Sequence, residues 1–287
     1  LSLAYPLKRH RLKISFKYLR EFLNYFWPSF LAMSVSQINS IVDTNVVSYY
    51  SGGQGGGISY LQYASRFYML PYGLFGVAVA TVILSTISND RQNYYSHLKD
   101  GITSTLFFTL PATIGLIVLS VPIIRLFYQY GQFTAKDTEM TAKVLSAYVI
   151  GLPFYGVYST MTRARHALKD MKRPLKATII VAVVNVVLDL LVGLKYGPVG
   201  VAVATSFAGI LGFLYLLLKE KNRNLFEKDI LYIFISSVAM GISTYFFSSI
   251  SDHRIWAIVS TGFGAAVYLL FSAIFFKDRL KTFLKRR

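Results

Sequence analysis

The run Ala177 to Val192 reads ATIIVAVVNVVLDLLV, an apolar stretch long enough to enter a bilayer that nevertheless contains Asn185 and Asp189. A spacing of four puts the two side chains on one face of a helix. A carboxylate in hydrocarbon is costly enough to mark a functional site by default. Two further groups of this kind occur: Asp43, beside Ser36, Asn39 and Ser40 in an otherwise apolar run, and Arg66, which precedes Pro71, Gly73 and Gly76. Carboxylates, an amide oxygen and hydroxyls are hard ligands for a hard cation. A guanidinium held in a cavity suits a phosphate or pyrophosphate.

The elements that must position these groups follow from composition. Of 287 residues, 54% are hydrophobic and only 15% charged, with mean hydropathy +0.48. This identifies an all-α, polytopic membrane protein. The net charge of +17 is carried between apolar runs and within no nucleic-acid-binding module, so nucleic acid is not an expected partner. With no cysteine, disulfides, thiolate metal sites and cysteine nucleophiles are excluded. The first residue is Leu1 and no signal peptide is evident, so a fragment of a longer chain is expected.

Eight spans are predicted, at about 26–50, 58–87, 102–128, 144–161, 177–192, 199–218, 230–250 and 255–276. Residues 1–23 form a basic segment, read either as an amphipathic arm on an anionic leaflet or as a solvated loop. Residues 24–222 make a six-helix lobe and 223–287 an added helix pair with a basic tail. The glycine-rich run 51–57 lacks the Gly-Lys-Ser/Thr ending of a phosphate loop and reads as a connector. Thr134 and Asp137 form an N-cap signature. Gly151 with Pro153 predicts a kink, and Gly197-Pro198 a tight turn. This topology puts 24 of the 30 lysines and arginines on the side of both termini, 5 on the other, and Arg66 within the membrane. By the positive-inside rule both termini are cytoplasmic.

Depth then follows from the helical rise. Asp43 lies roughly 22 Å from the cytoplasmic face, Asn185 and Asp189 roughly 15 and 21 Å, and Thr205 about 20 Å. The backbone carbonyl of Val201 lies one turn from Thr205. Together these groups suit a sodium or proton coupling site; the other reading is that Asp43 and Asp189 bond separately to backbone or hydroxyl groups. Arg66, roughly 12 Å deep from the opposite face, meets either an anion or a carboxylate of another span. The four histidines have no metal-ligand spacing, the terminal tyrosines and tryptophans suit interfacial belts, and no nucleophile with base and orienter is evident, so an enzyme is not expected.

Five segments carry a family resemblance: Ser36-Gln37-Ile38-Asn39 with Val42-Asp43-Thr44, the run from Tyr63 through Arg66 and Pro71 to Ala78, Thr109-Leu110-Pro111-Ala112, Gly131 to Thr138, and Gly151-Leu152-Pro153. They resemble the MurJ (MviN) family of lipid II flippases, within the multidrug/oligosaccharidyl-lipid/polysaccharide exporter superfamily. The resemblance implies fourteen spans in two lobes plus a final pair, of which this chain supplies the second lobe and the pair, its partner being the first lobe. It implies transfer of a lipid-linked peptidoglycan precursor across the bacterial inner membrane by alternating access, coupled to sodium or membrane potential. It assigns Arg66 to the substrate's pyrophosphate or head group, and Asp43, Asn185, Asp189, Thr205 and the Val201 carbonyl to a bound sodium ion, with no other cofactor. It assigns the seventh and eighth spans to a groove for the polyprenyl tail. Ser65 stands where many members have Asp, and most of the family's cavity arginines lie in the first lobe, so this chain alone is not expected to flip substrate. A related exporter of drugs or other lipid-linked oligosaccharides, and a non-transporting scaffold, are the other readings.

Overall fold

The computed structural model describes residues 16–52, 56–221, 224–226, 228–251 and 253–275. Residues 1–15 of the basic segment, 53–55 of the glycine run and the tail 276–287 lie outside these. Among the described residues the chain is helical, with no strand.

The helices are α1 (Phe16–Tyr50), α2 (Gly56–Pro71), α3 (Ala78–Asn89), α4 (Tyr94–Val118), α5 (Ser120–Tyr128), α6 (Ala135–Ile150), α7 (Leu152–Ala167), α8 (Lys172–Leu188), α9 (Leu194–Leu218), α10 (Lys228–Ser248) and α11 (Trp256–Phe275). Two π-helical turns interrupt the pattern, Tyr72–Val77 between α2 and α3 and Asp189–Gly193 between α8 and α9. The first follows Pro71, whose ring removes a backbone donor and loosens the ladder there.

Among the described residues, six helical stretches are long and apolar enough to cross a membrane: Gly56–Asn89, Tyr94–Val118, Ala135–Ala167, Lys172–Leu218, Lys228–Ser248 and Trp256–Ile274. The difference from the eight expected spans has two sources. α1, with its run of Asn39, Ser40, Asp43, Thr44 and Asn45, is not among the six. The expected fifth and sixth spans also fuse into one 47-residue stretch. That stretch is not one straight helix, because Gly197 takes φ 63° and ψ −136°, a conformation favoured only for glycine. The chain reverses there and α9 packs back along α8.

The predicted breaks appear where expected. Thr134 caps α6, accepting from the Asp137 N–H at 3.3 Å while Asp137 accepts from the Thr134 N–H at 2.7 Å. Gly151 separates α6 from α7. Ser206 of α9 bonds to the backbone at that kink: its Oγ donates toward the carbonyls of Ala147 (2.6 Å) and Tyr148 (3.0 Å) and accepts from the Gly151 N–H at 3.2 Å, which also reaches the Tyr148 carbonyl at 3.1 Å. Irregular backbone inside a membrane protein persists where protein groups satisfy it in this way.

Two apolar clusters hold the lobe. One, around Val47, Leu145 and Leu152, joins α1, α2, α6, the start of α7 and α9; the other, around Leu98, Ile102 and Met161, joins α3, α4 and α7. Large apolar side chains elsewhere point outward, among them Leu191, Phe246 and Ile274, as lipid contact requires. α10 packs against α4, and α11 against α10 and α5, so the added pair sits beside the lobe.

Candidate functional site

α1, α8 and α9 pack on one another and carry the predicted cation ligands. Asn185 and Asp189 are buried, at 1% and 0% exposure, and Val201 is fully enclosed. The Asp189 carboxylate adjoins that of Asp43. Both Asp189 oxygens are buried without a hydrogen-bond donor. Asp189 also stands at the change from α-helix to π-turn, a distortion that recurs at functional sites.

Asn185 links the three helices. The Asn39 and Asn185 side-chain amides touch each other; with the Asn185 oxygen turned to accept from the Thr205 backbone N–H (3.2 Å), its Nδ2 donates to Asp43 Oδ1 (3.2 Å) and Asn39 Oδ1 (2.9 Å). Thr205 Oγ1 donates to the Val201 carbonyl at 3.0 Å. Tyr155 Oη donates to the Thr205 carbonyl at 3.3 Å. The four residues expected at one depth, Asp43, Asn185, Asp189 and Thr205, are therefore joined with the Val201 carbonyl through short contacts. Among the described residues no three or more His, Cys, Asp or Glu side chains are grouped so as to hold a metal ion; this cluster mixes two carboxylates with neutral oxygens.

Sequence reasoning missed Tyr155 and gave Asn39 no part in the site. Asn39 was legible as part of the polar face of α1, one turn from Asp43. Tyr155 left only an indirect mark, Gly209, where a Cβ would lie 2.8 Å from Cζ of the Tyr155 ring.

Arg66 lies on the exposed side of α2, 5.9 Å from the Tyr63 ring centre. Among the described residues no carboxylate lies within ion-pair distance of it. An open cavity of 800 Å³ lies between α1, α3, α7 and α8, with Gln37, Tyr72, Tyr158, Arg163 and His166 on its wall. Arg66 is not on that wall. A separate apolar groove of 410 Å³ runs between α4, α10 and α11, past Phe75, Phe108, Pro111, Met240 and Leu269.

The basic stretch between the expected fourth and fifth spans is not all connector, because α7 extends to Ala167 and buries Arg165. Arg165 pairs with the buried Glu220, which also accepts from Tyr94 Oη at 3.1 Å. Arg165 further lies 5.4 Å from the Tyr94 ring centre.

A family model described as "Lipid II flippase MurJ" matches residues 2–265. The chain belongs to the MurJ family. The lipid II flippase MurJ of Thermosipho africanus is 53% identical over 227 residues, 79% of this chain and 47% of that protein. The probable lipid II flippase MurJ of Thermotoga maritima is 39% identical over 286 residues, 100% of this chain and 59% of its own length. The chain thus spans about half to three-fifths of these MurJ relatives. A solved structure of lipid II flippase MurJ in an inward closed conformation superimposes with a TM-score of 0.83 at 51% identity, over 96% of this chain and 58% of that one. An outward-facing multidrug resistance MATE transporter of the MOP superfamily aligns at TM-score 0.56 and 16% identity, a likeness of fold alone. This MurJ-family chain is a multi-pass membrane protein of exporter-like fold.

Proposed function

We propose that this chain forms the second lobe and final helix pair of a flippase that moves a lipid-linked peptidoglycan precursor from the cytoplasmic to the periplasmic leaflet. The work is transport rather than catalysis. The bacterial inner membrane is its site, with both ends of the chain on the cytoplasmic side, where the lysines and arginines concentrate. The first lobe of the same protein is the partner that closes the cavity, and the two rock about it in alternating access.

The observation that carries this reading is Arg66: a guanidinium within a membrane span, exposed, with no carboxylate in ion-pair distance among the described residues. Its charge is offset by the pyrophosphate of the substrate, which a planar fork of donors holds well. The 800 Å³ cavity receives the polar head group, and the apolar groove beside α10 and α11 takes the hydrocarbon tail.

The cluster around Asp189 fits a sodium ion, because its two buried carboxylate oxygens have no donor and the neighbouring groups offer hard oxygens. Asp43, Asp189, Thr205 and the Val201 carbonyl would hold the ion directly. Asn185 would join them after a half-turn of its amide, which brings its oxygen round toward Asp43. A bound cation would supply positive charge between the carboxylates and tie α1 to α8 and α9, biasing one state of the lobe over another.

The test of the transport reading is Arg66→Ala in the full-length protein. Loss of cell-wall synthesis in a strain dependent on the variant, with the protein present at normal level in the membrane, is the expected result. Intact synthesis would favour a scaffold.

A further inference from the structure

At the turn between α10 and α11 a small cavity of 40 Å³ is walled by Arg125, His253 and Arg254 with the hydroxyls of Ser248, Ser251 and Ser260. That is room for a few water molecules, or one group of phosphate size. The turn is firmly held. Trp256 donates Nε1–H to the Phe247 carbonyl at 2.9 Å and stacks on the Phe247 ring, whose centroid is 5.0 Å away. Arg254 lies 4.5 Å from the Tyr130 ring centre. Arg125 and Arg254 give the wall of the pocket positive charge.

Ser260 connects this cavity to the apolar groove, since it lines both. It is fully buried and its Oγ has no hydrogen-bond partner. Thr244, further along the groove, is 1% exposed with an unpartnered Oγ1. Buried hydroxyls without partners are costly unless a ligand or water completes them. A basic, hydroxyl-lined pocket that opens into an apolar channel has the polarity of a lipid: phosphate at one end, hydrocarbon along the rest. At 410 Å³ the groove is the size of one small-molecule ligand, room for one chain rather than two.

We infer that the pocket at the α10–α11 turn is a phosphate subsite for a single-chain lipid whose hydrocarbon lies in the adjoining groove. This rests on the reading of the groove as a tail site, and it is separate from Arg66, which lies on α2. In the topology derived from charge, the pocket is at the face opposite the termini, the side on which a lipid phosphate lies once its lipid has crossed. Arg254 supplies the forked donors, Arg125 adds to the field, and the hydroxyls of Ser251 and Ser260 donate to the remaining phosphate oxygens, that of Ser248 being given to the Tyr245 carbonyl at 2.9 Å.

The experiment uses the full-length protein in phosphatidylcholine nanodiscs and compares affinities for farnesyl monophosphate, farnesol and inorganic phosphate. Farnesyl monophosphate should bind about tenfold more tightly than farnesol, the scale of one charge-assisted contact, and inorganic phosphate alone should bind weakly. In Arg254→Gln the preference for farnesyl monophosphate should fall to about twofold, with Arg254→Lys between the two. Reading the ratio within each variant keeps the result independent of any change in stability. Equal affinities of the two prenyl compounds in the wild type, or an unchanged ratio in Arg254→Gln, overturns the subsite and leaves the tail groove standing. No binding of farnesol overturns both. Tight binding of inorganic phosphate alone, or displacement of farnesyl monophosphate by equimolar phosphatidylglycerol, overturns the assignment to a single-chain lipid. None of these readouts depends on Arg66 or on flipping.

Discussion

Asn185 on α8 donates its amide N–H to the carboxylate of Asp43 on α1 across 3.2 Å, while its own oxygen receives the Thr205 N–H of α9. One neutral side chain thereby ties three helices at the point where two carboxylates adjoin. A cation between those carboxylates competes for the same oxygens. Sodium should therefore raise the thermal unfolding midpoint of the full-length protein, and the shift should vanish in Asp43→Ala and Asp189→Ala. Sodium stabilisation that persists in both variants removes the proposed ion site.

Gly200 sets how closely α9 approaches the π-turn that carries Asp189. A Cβ there would overlap the Val192 carbonyl oxygen and lie 2.8 Å from its carbon, with the Gly193 Cα at 3.0 Å. These are backbone atoms and cannot rotate away. Gly200→Ala should therefore destabilise by about 1–3 kcal/mol, measured by thermal unfolding in detergent, and weaken any sodium response by moving Asp189. A variant as stable as the parent would show that the two segments separate freely.

Arg165 and Glu220 form an ion pair with side-chain exposures of 10% and 1%. Removing one partner from such a pair strands the other, at about 3–5 kcal/mol. Glu220→Gln should show most of that loss, and Glu220→Leu combined with Arg165→Met should recover much of it. Additive losses in the double variant would mean that the two residues act independently.

Asp90 lies in the short turn between α3 and α4, outside the spans. Its carboxylate accepts from the Asn93 side-chain amide at 2.8 Å and lies 3.1 Å from His97 Nε2, which holds its pKa below the ordinary 3.8. A depressed folded value means that the stabilisation is complete above 3.8 and is lost as pH falls through the lower folded value. Asp90→Asn should flatten this acid-side part of the stability curve, measured as unfolding midpoint against pH. An unchanged acid limb would show that the cap contributes nothing.

Much of the site was legible because a membrane makes polar residues conspicuous. Asp43, Asn185, Asp189 and Arg66 stand out against apolar runs, and the fixed helical rise converts position into depth. Ser206 and Tyr155 did not stand out. Serine and tyrosine are unremarkable in a span, and their partners, the carbonyls of Ala147, Tyr148 and Thr205, belong to the backbone. Arg165 was misleading for the opposite reason: a cation at a span end reads as solvated, yet a helix extended by one turn buries it against Glu220.

The sequence by itself determined the all-helical membrane class, the breaks at Gly151 and Gly197, the α6 cap and the shared depth of the polar residues, because these depend on local composition and a constant rise per residue. Only the tertiary structure decided that Asp43 and Asp189 adjoin, that the Asn185 amide faces Asp43, and that Ser260 joins a basic pocket to an apolar groove. Depth is one coordinate; rotation of each helix about its axis and the choice of neighbours supply the others. Those are set by packing between residues far apart in the chain.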